Sequence, residues 1–455
     1  MSWPRAGRPP FTSLLSSALA VFTIRAVLAL AMFVTMTLLA RILGPSGFGR
    51  YSTILAIVAL AGLPLSMGIP QGIVQILPAA LAGGPATAPA AAASWALRMT
   101  TFSGLAGGFF AIAIAGLLAT LDLASFTHGA IIALCLPLAV VTLTCSGIIR
   151  GLDRPVLAML PELLGRTGPL PAILLACIAL GFTPDLDAAL ALQCLGMAAG
   201  CGLAFVFALD ALDILPAGGR ASGQSTEWLA ICWPLMAVSI GGAVMTQADL
   251  VMVATLLGPE EAGLYRTAVL AALATPMALA ALLQPAVPRM ARLHARRDDR
   301  GLQVLTSSIT LWASLLTLPV AGLLLIGAAP ILTLAFGGDF AGASTSLRIL
   351  VAGQFVNVLC GPVMVLLQVT GSQGLVARTF AICAGANLLL NAILIPTLGV
   401  DGAAAATVIS MVSWNVHLVM AARRNRSIST SILACRALAP RAIFHPDASI
   451  KDVSA

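Results

Sequence analysis

ARILGPSGFGRY, residues 40–51, closes one apolar run and opens the next, and ATLLGPEEAGLY, residues 254–265, writes nearly the same junction 214 residues later. At that offset Ala40, Leu43, Gly44, Pro45, Gly49, Tyr51 and Thr53 meet Ala254, Leu257, Gly258, Pro259, Gly263, Tyr265 and Thr267. The chain has two tyrosines, and they pair. A junction that only turned the chain would need no second copy. The repeat therefore predicts two similar halves, parallel repeats about an axis along the membrane normal. In each copy the Gly-Pro step is read as ending a helix, the second glycine as turning the chain into the next, and the tyrosine as an anchor at the water boundary.

Composition sets the surroundings of these halves. With 59% apolar and 9% charged residues and a mean hydropathy of +1.02, the chain lies far outside the range of soluble domains. Apolar stretches of about 18 to 25 residues recur along it, each long enough to cross a hydrocarbon core of about 30 Å as helix. Segments of about 10 residues with strict alternation, the mark of a transmembrane barrel, do not occur. The expected fold is an all-α polytopic membrane protein with its backbone satisfied within each helix.

Twelve spans are predicted, near residues 14–40, 48–68, 99–121, 129–149, 156–182, 187–209, 228–257, 262–284, 304–326, 345–369, 374–397 and 402–423. They group into an N-terminal lobe of six helices over 1–213, a C-terminal lobe of six over 214–423, and a cytoplasmic tail over 424–455. The arginines set orientation. Arg5, Arg8, Arg98, Arg150, Arg154, Arg220, Arg378, the cluster from Arg289 to Arg300, and Arg423, Arg424 and Arg426 fall on one side; Arg41, Arg50, Arg266 and Arg348, with Asp122, Asp185, Asp187, Glu260, Glu261, Asp339 and Asp401, fall on the other. The positive-inside rule then places both termini in the cytoplasm. The net charge of +7 is explained by topology and anionic lipid heads, with no nucleic acid implied.

The nine cysteines show no C-x-x-C pair, and the four histidines are scattered. Neither metal ligation nor a cofactor is expected. No nucleophile–base pair, phosphate-binding loop or dinucleotide fingerprint assembles, which argues against an enzyme.

Three longer stretches carry a family resemblance. LGPSGFGRYSTILAIVALAGLPLSMGIPQGIVQ (43–75), FGGDFAGASTSLRIL (336–350) and NLLLNAILIPTLGVDGAAAATVIS (387–410) resemble the polysaccharide-biosynthesis exporters, oligosaccharide-lipid flippases of the multidrug/oligosaccharidyl-lipid/polysaccharide (MOP) exporter superfamily. In the last stretch Asn387, Asn391, Pro396, Gly399, Gly402 and Ala403 follow the family's order. The resemblance spans roughly residues 12 to 423. It implies a MATE-like bundle in a bacterial cytoplasmic membrane that flips a polyprenyl-diphosphate-linked oligosaccharide by alternating access, for surface or exopolysaccharide synthesis. It also implies membrane lipids and a polysaccharide polymerase or export complex as partners, and coupling to protons or sodium. A drug or metabolite antiporter of the same superfamily, a peptidoglycan-precursor flippase and a non-transporting scaffold are the alternatives.

A diphosphate head group needs cations, because an unpaired anion is costly to desolvate. Arg25 lies 18 residues before Leu43, about 27 Å along a helix, inside the first span. It either meets the substrate or snorkels to the interface. Asp249 is an intramembrane acid suited to the coupling ion, with Gln247 on its polar face; a carboxylate hydrogen-bonded in an outer vestibule is the alternative. Glu162 and Arg166 stand at i, i+4, where a helix makes an ion pair; contact with the substrate head group is the other reading. Asn357 and Asn387, together with Asn391, Asn415 and Gln75, are candidates for the cavity wall, although amides also join helices in lipid.

Overall fold

The computed structural model describes residues 11–81, 89–120, 126–215, 225–426, 428 and 430–432. Arg5, Arg8, Arg220, Cys435 and nearly all of the 424–455 tail lie outside these residues. The described residues form helices and turns without a strand. They fall into two compact units, Met1–Leu43 with Ile54–Ala243, and Gly44–Thr53 with Val244–Ala455.

The first unit contains most of α1 (Phe11–Leu65), then α2 (Ile69–Leu81), α3 (Pro89–Thr120), α4 (Phe126–Gly151), a 3-10 turn at Leu157–Met159, a π turn at Glu162–Arg166, α5 (Pro169–Ala179), α6 (Leu186–Ile214) and α7 (Ser225–Ala243). Asp185 caps α6 by accepting from the Ala188 N–H at 2.9 Å, a contact of about 1 kcal/mol. Beside it, His128 Nε2 lies 3.3 Å from Asp187 Oδ1 and joins the starts of α4 and α6.

Short α2 organises the first core. Ile69, Ile73 and Leu77 are fully buried and repeat every four residues, one face of a helix. Gly72 meets Cys232 of α7, whose Sγ occupies the place a side chain at 72 would need. Trp95 of α3 packs on Trp228 of α7 at 5.2 Å between ring centroids. In lipid such close fits, rather than expulsion from water, hold helices together. These contacts make α7 part of the first compact unit, which ends at Ala243.

The second unit follows with a π turn at Val244–Ala248, α8 (Asp249–Leu256), α9 (Pro259–Ala272), α10 (Met277–Ala295), α11 (Asp299–Ile326), α12 (Ala328–Phe336), a 3-10 turn at Gly338–Ala343, α13 (Ser344–Cys360), α14 (Val363–Val369), α15 (Gln373–Leu398) and α16 (Val400–Arg426). Its core gathers Met290, Leu302, Ala313, Val358, Leu366, Leu418 and Ala422. The chain beyond α16 returns to this core. Ile428 is 1% exposed, Thr310 donates to the Thr430 carbonyl at 2.7 Å, and Thr430 donates to the Cys360 carbonyl at 2.8 Å.

The repeated junctions meet inside the second unit, and their glycines differ from the expected roles. Turning is done by the first glycines, Gly44 at φ +65 and Gly258 at φ +111, where other residues are strained. A prolyl ring with its fixed φ then starts the next helix in each copy. Gly49 and Gly263 lie inside helices, where they let the two copies touch. A Cβ at Gly49 would overlap the Pro259 carbonyl oxygen, and one at Gly263 would overlap the Pro45 carbonyl oxygen. Phe48 packs on Phe340 at 6.3 Å. Nor are the tyrosines boundary anchors: Tyr51 and Tyr265 are both fully buried.

Among the described residues ten helices are long and apolar enough to cross a membrane, or eleven if the bent pair Pro259–Ala272 and Met277–Leu283, at 48°, is one span. The expected spans 14–40 and 48–68 share one helical run, Thr23–Leu65, of 43 residues, which breaks at Gly44. The expected span 345–369 is interrupted at Gly361, φ +72, between α13 and α14.

Candidate functional site

Asp249 opens α8 directly after the π turn, and the elbow at Gly258 brings α9 back alongside it. The carboxylate is 4% exposed. The Tyr265 hydroxyl of α9 donates to Oδ2 at 2.5 Å, the Thr407 hydroxyl of α16 donates to the same oxygen at 3.2 Å, and the Leu250 N–H donates to Oδ1 at 2.8 Å. Three helices thus converge on one acid, and the donors supply what water would otherwise give a buried carboxylate. Asp249 is buried, with its carboxylate held by three donors. Gln247, half-buried on the π turn, makes no hydrogen bond to it.

The offset of 214 residues places Thr35 opposite Asp249, Tyr51 opposite Tyr265 and Gln193 opposite Thr407. Thr35 and Gln193 are also buried, at 2% and 4% exposure. Thr35 donates to its own helix, at the Ala31 carbonyl, 2.8 Å away. At these positions the halves differ in charge: the acid belongs to the second half alone. The sequence reading did not assign Tyr265 and Thr407 to this acid; the contacts across α8, α9 and α16 reveal them.

The other candidates are dispersed. Arg25 on α1 is exposed and forms no hydrogen bond or salt bridge among the described residues, though it feels the charge of Arg150 at the end of α4. Glu162 and Arg166 form no ion pair. The segment is a π turn in which the Thr167 N–H reaches back five residues to the Glu162 carbonyl at 2.8 Å. An i, i+4 spacing therefore no longer stacks the side chains, and both are exposed. The π turn lies where Gly165 meets the Gly200 backbone of α6 too closely for any side chain.

Asn387 is wholly buried and is a seam residue rather than an open wall. It donates to the Ser410 hydroxyl of α16 at 3.2 Å, and Asn391 donates to its carbonyl oxygen at 2.9 Å. Asn357 accepts from Asn415 at 3.0 Å and joins α13 to α16. Gln75 is exposed on α2. Two cysteines do come together: Cys135 of α4 and Cys194 of α6 have their sulfurs 2.9 Å apart. No group of three metal-ligating side chains occurs among the described residues.

The model of the polysaccharide biosynthesis protein family matches residues 14–294. The chain belongs to this family. Polysaccharide biosynthesis proteins of this kind are members of the MOP superfamily, and the fold agrees. The structure is similar to an inward-facing multidrug resistance MATE family transporter of that superfamily, with a TM-score of 0.70, 14% identity, and coverage of 90% of this chain and 98% of that one. It is also similar to the lipid II flippase MurJ in an inward closed conformation, with a TM-score of 0.68, 11% identity, and coverage of 89% and 87%. In sequence the chain is 30% identical over 175 residues to a Haloferax volcanii protein named "Probable low-salt glycan biosynthesis flippase". That similarity covers 38% of this chain and 36%, about a third, of the relative.

Proposed function

We propose that the protein is a transporter that moves a polyprenyl-diphosphate-linked oligosaccharide across the bacterial cytoplasmic membrane, outward, by alternating access of two six-helix lobes, 1–213 and 214–423, with both termini and the 424–455 tail in the cytoplasm. Twelve crossings result if the 43-residue run Thr23–Leu65, about 65 Å long as helix, counts as two at the Gly44 break and the bent pair as one. Arg25 carries the reading: an exposed guanidinium on an apolar helix, held by no carboxylate among the described residues, is a costly feature suited to an anionic cargo. Glu162 and Arg166 add polar side chains to the exposed surface of the same unit. Asp249, with Tyr265 and Thr407 around it, is the site where a proton or sodium ion couples to transport. Family membership and the glycan flippase named among the relatives support the cargo class.

Depletion in the native host tests this directly. Polyprenyl-diphosphate sugars accumulate in the membrane and surface polysaccharide falls if the reading holds. An unchanged lipid-linked pool with raised sensitivity to cationic drugs overturns it in favour of the antiporter.

A further inference from the structure

The second unit contains a cavity of about 690 Å³ lined by Leu375, His417, Met420, Ala421, Arg423 and Arg424. Leu375 lies in the first turn of α15, and the other five lie on the last turns of α16. Among the described residues no acid lines it, although it gathers two guanidiniums and an imidazole. Its other described lining residues, Leu375, Met420 and Ala421, are apolar. Arg423 is set in place by the returning chain, donating to the Ser431 hydroxyl at 3.1 Å, while Arg424 is exposed and makes no hydrogen bond among the described residues.

We propose that this cavity is a binding site for an acidic phospholipid, distinct from the transported cargo. Guanidiniums match phosphate oxygens in geometry and charge, so Arg423 and Arg424 take the phosphodiester with His417 at its side. Met420, Ala421 and Leu375 give an acyl chain its apolar contact, which a free phosphate ion would not use. The arginines lie at the end of α16 assigned to the cytoplasmic face, whose leaflet carries the anionic lipids. The volume falls within the range of small-molecule sites. Because the lipid head would bridge the first turn of α15 and the last turns of α16, its binding stabilises the folded second unit by mass action. The inference rests on the membrane orientation proposed above and on nothing about the cargo.

The test uses the purified full chain in a neutral detergent, with dioleoylphosphatidylglycerol, dioleoylphosphatidylcholine or inorganic phosphate added, read by native mass spectrometry and by thermal unfolding. Phosphatidylglycerol stays bound and raises Tm, phosphatidylcholine does neither, and Arg424→Gln with His417→Gln weakens phosphatidylglycerol binding by about tenfold or more. Arg424→Lys, which keeps the charge, recovers part of the binding and serves if the double variant does not fold. Equal binding of the two lipids, unchanged binding by the variants, or a matching shift with inorganic phosphate alone overturns the proposal. Transport takes no part in these readouts, so a negative result leaves the flippase reading intact.

Discussion

Tyr265 donates its hydroxyl to Asp249 at 2.5 Å across the elbow that Gly258 makes, so the repeated junction leads in this half to a buried acid where the other half has Thr35. Tyr265→Phe removes that donor and leaves the carboxylate less satisfied, at a cost of about 1–3 kcal/mol, measured as a lower Tm in detergent. Thr407→Val removes a longer contact, 3.2 Å, and costs less.

Asp249→Asn separates structure from coupling. The amide keeps nearly the same volume and an oxygen to accept from Tyr265, at the cost of the bond from the Leu250 N–H, about 1–3 kcal/mol, so the variant still folds and reaches the membrane. Ion-driven export is lost. Wild-type export by this variant, at any pH or sodium concentration, rules out Asp249 as the coupling site.

The glycines of the junctions predict a graded series. Gly49→Ala and Gly263→Ala push a methyl into backbone carbonyls that cannot rotate away, and each destabilises by about 1–3 kcal/mol or more. Gly44→Ala meets open space but keeps φ at +65, a strain of about 1–2 kcal/mol. Gly322→Ala on α11, with open space and helical backbone, is neutral or stabilising by up to about 1 kcal/mol. Thermal unfolding of the four variants gives the order.

Arg25→Ala abolishes polysaccharide export while the protein remains in the membrane, and Arg25→Lys restores part of it, since charge counts for more than fork geometry toward a hydrated diphosphate. Export by the alanine variant at the wild-type rate removes Arg25 from the cargo path.

The sulfurs of Cys135 and Cys194, 2.9 Å apart, predict selective cross-linking. A membrane-permeant diazenedicarboxamide should take one hydrogen from each thiol, join the two sulfurs and leave as the hydrazine. Peptide mass spectrometry then finds the 135–194 link, with Cys145 and Cys232 still reduced.

Much of this architecture was legible because it rests on composition and repetition. Apolar run lengths gave the helices, and the paired tyrosines marked the two junctions that meet. What escaped depended on local backbone geometry or on distance in the chain. The π turn at Glu162–Arg166 undid an ion pair that ordinary helical spacing promised. The second glycines looked like turn residues until the two junctions were seen to touch. Tyr265 looked like an interfacial anchor because its acceptor is 16 residues away on another helix, and Thr407 lies 158 residues from the acid it serves. Asn387 had the right chemistry for a sugar but spends its hydrogen bonds on Ser410 and Asn391.

Residues 44–53 leave one compact unit, complete the other and then return. The polypeptide therefore passes between the units three times, at 43/44, 53/54 and 243/244. A single cut at 243/244 cannot yield two self-sufficient pieces, since the C-terminal fragment would lack the segment that Gly263 was shaped to receive. Gene fission at that point would need both fragments made together, and a ribosome finishing the first half would release a loop still waiting for a partner not yet synthesised.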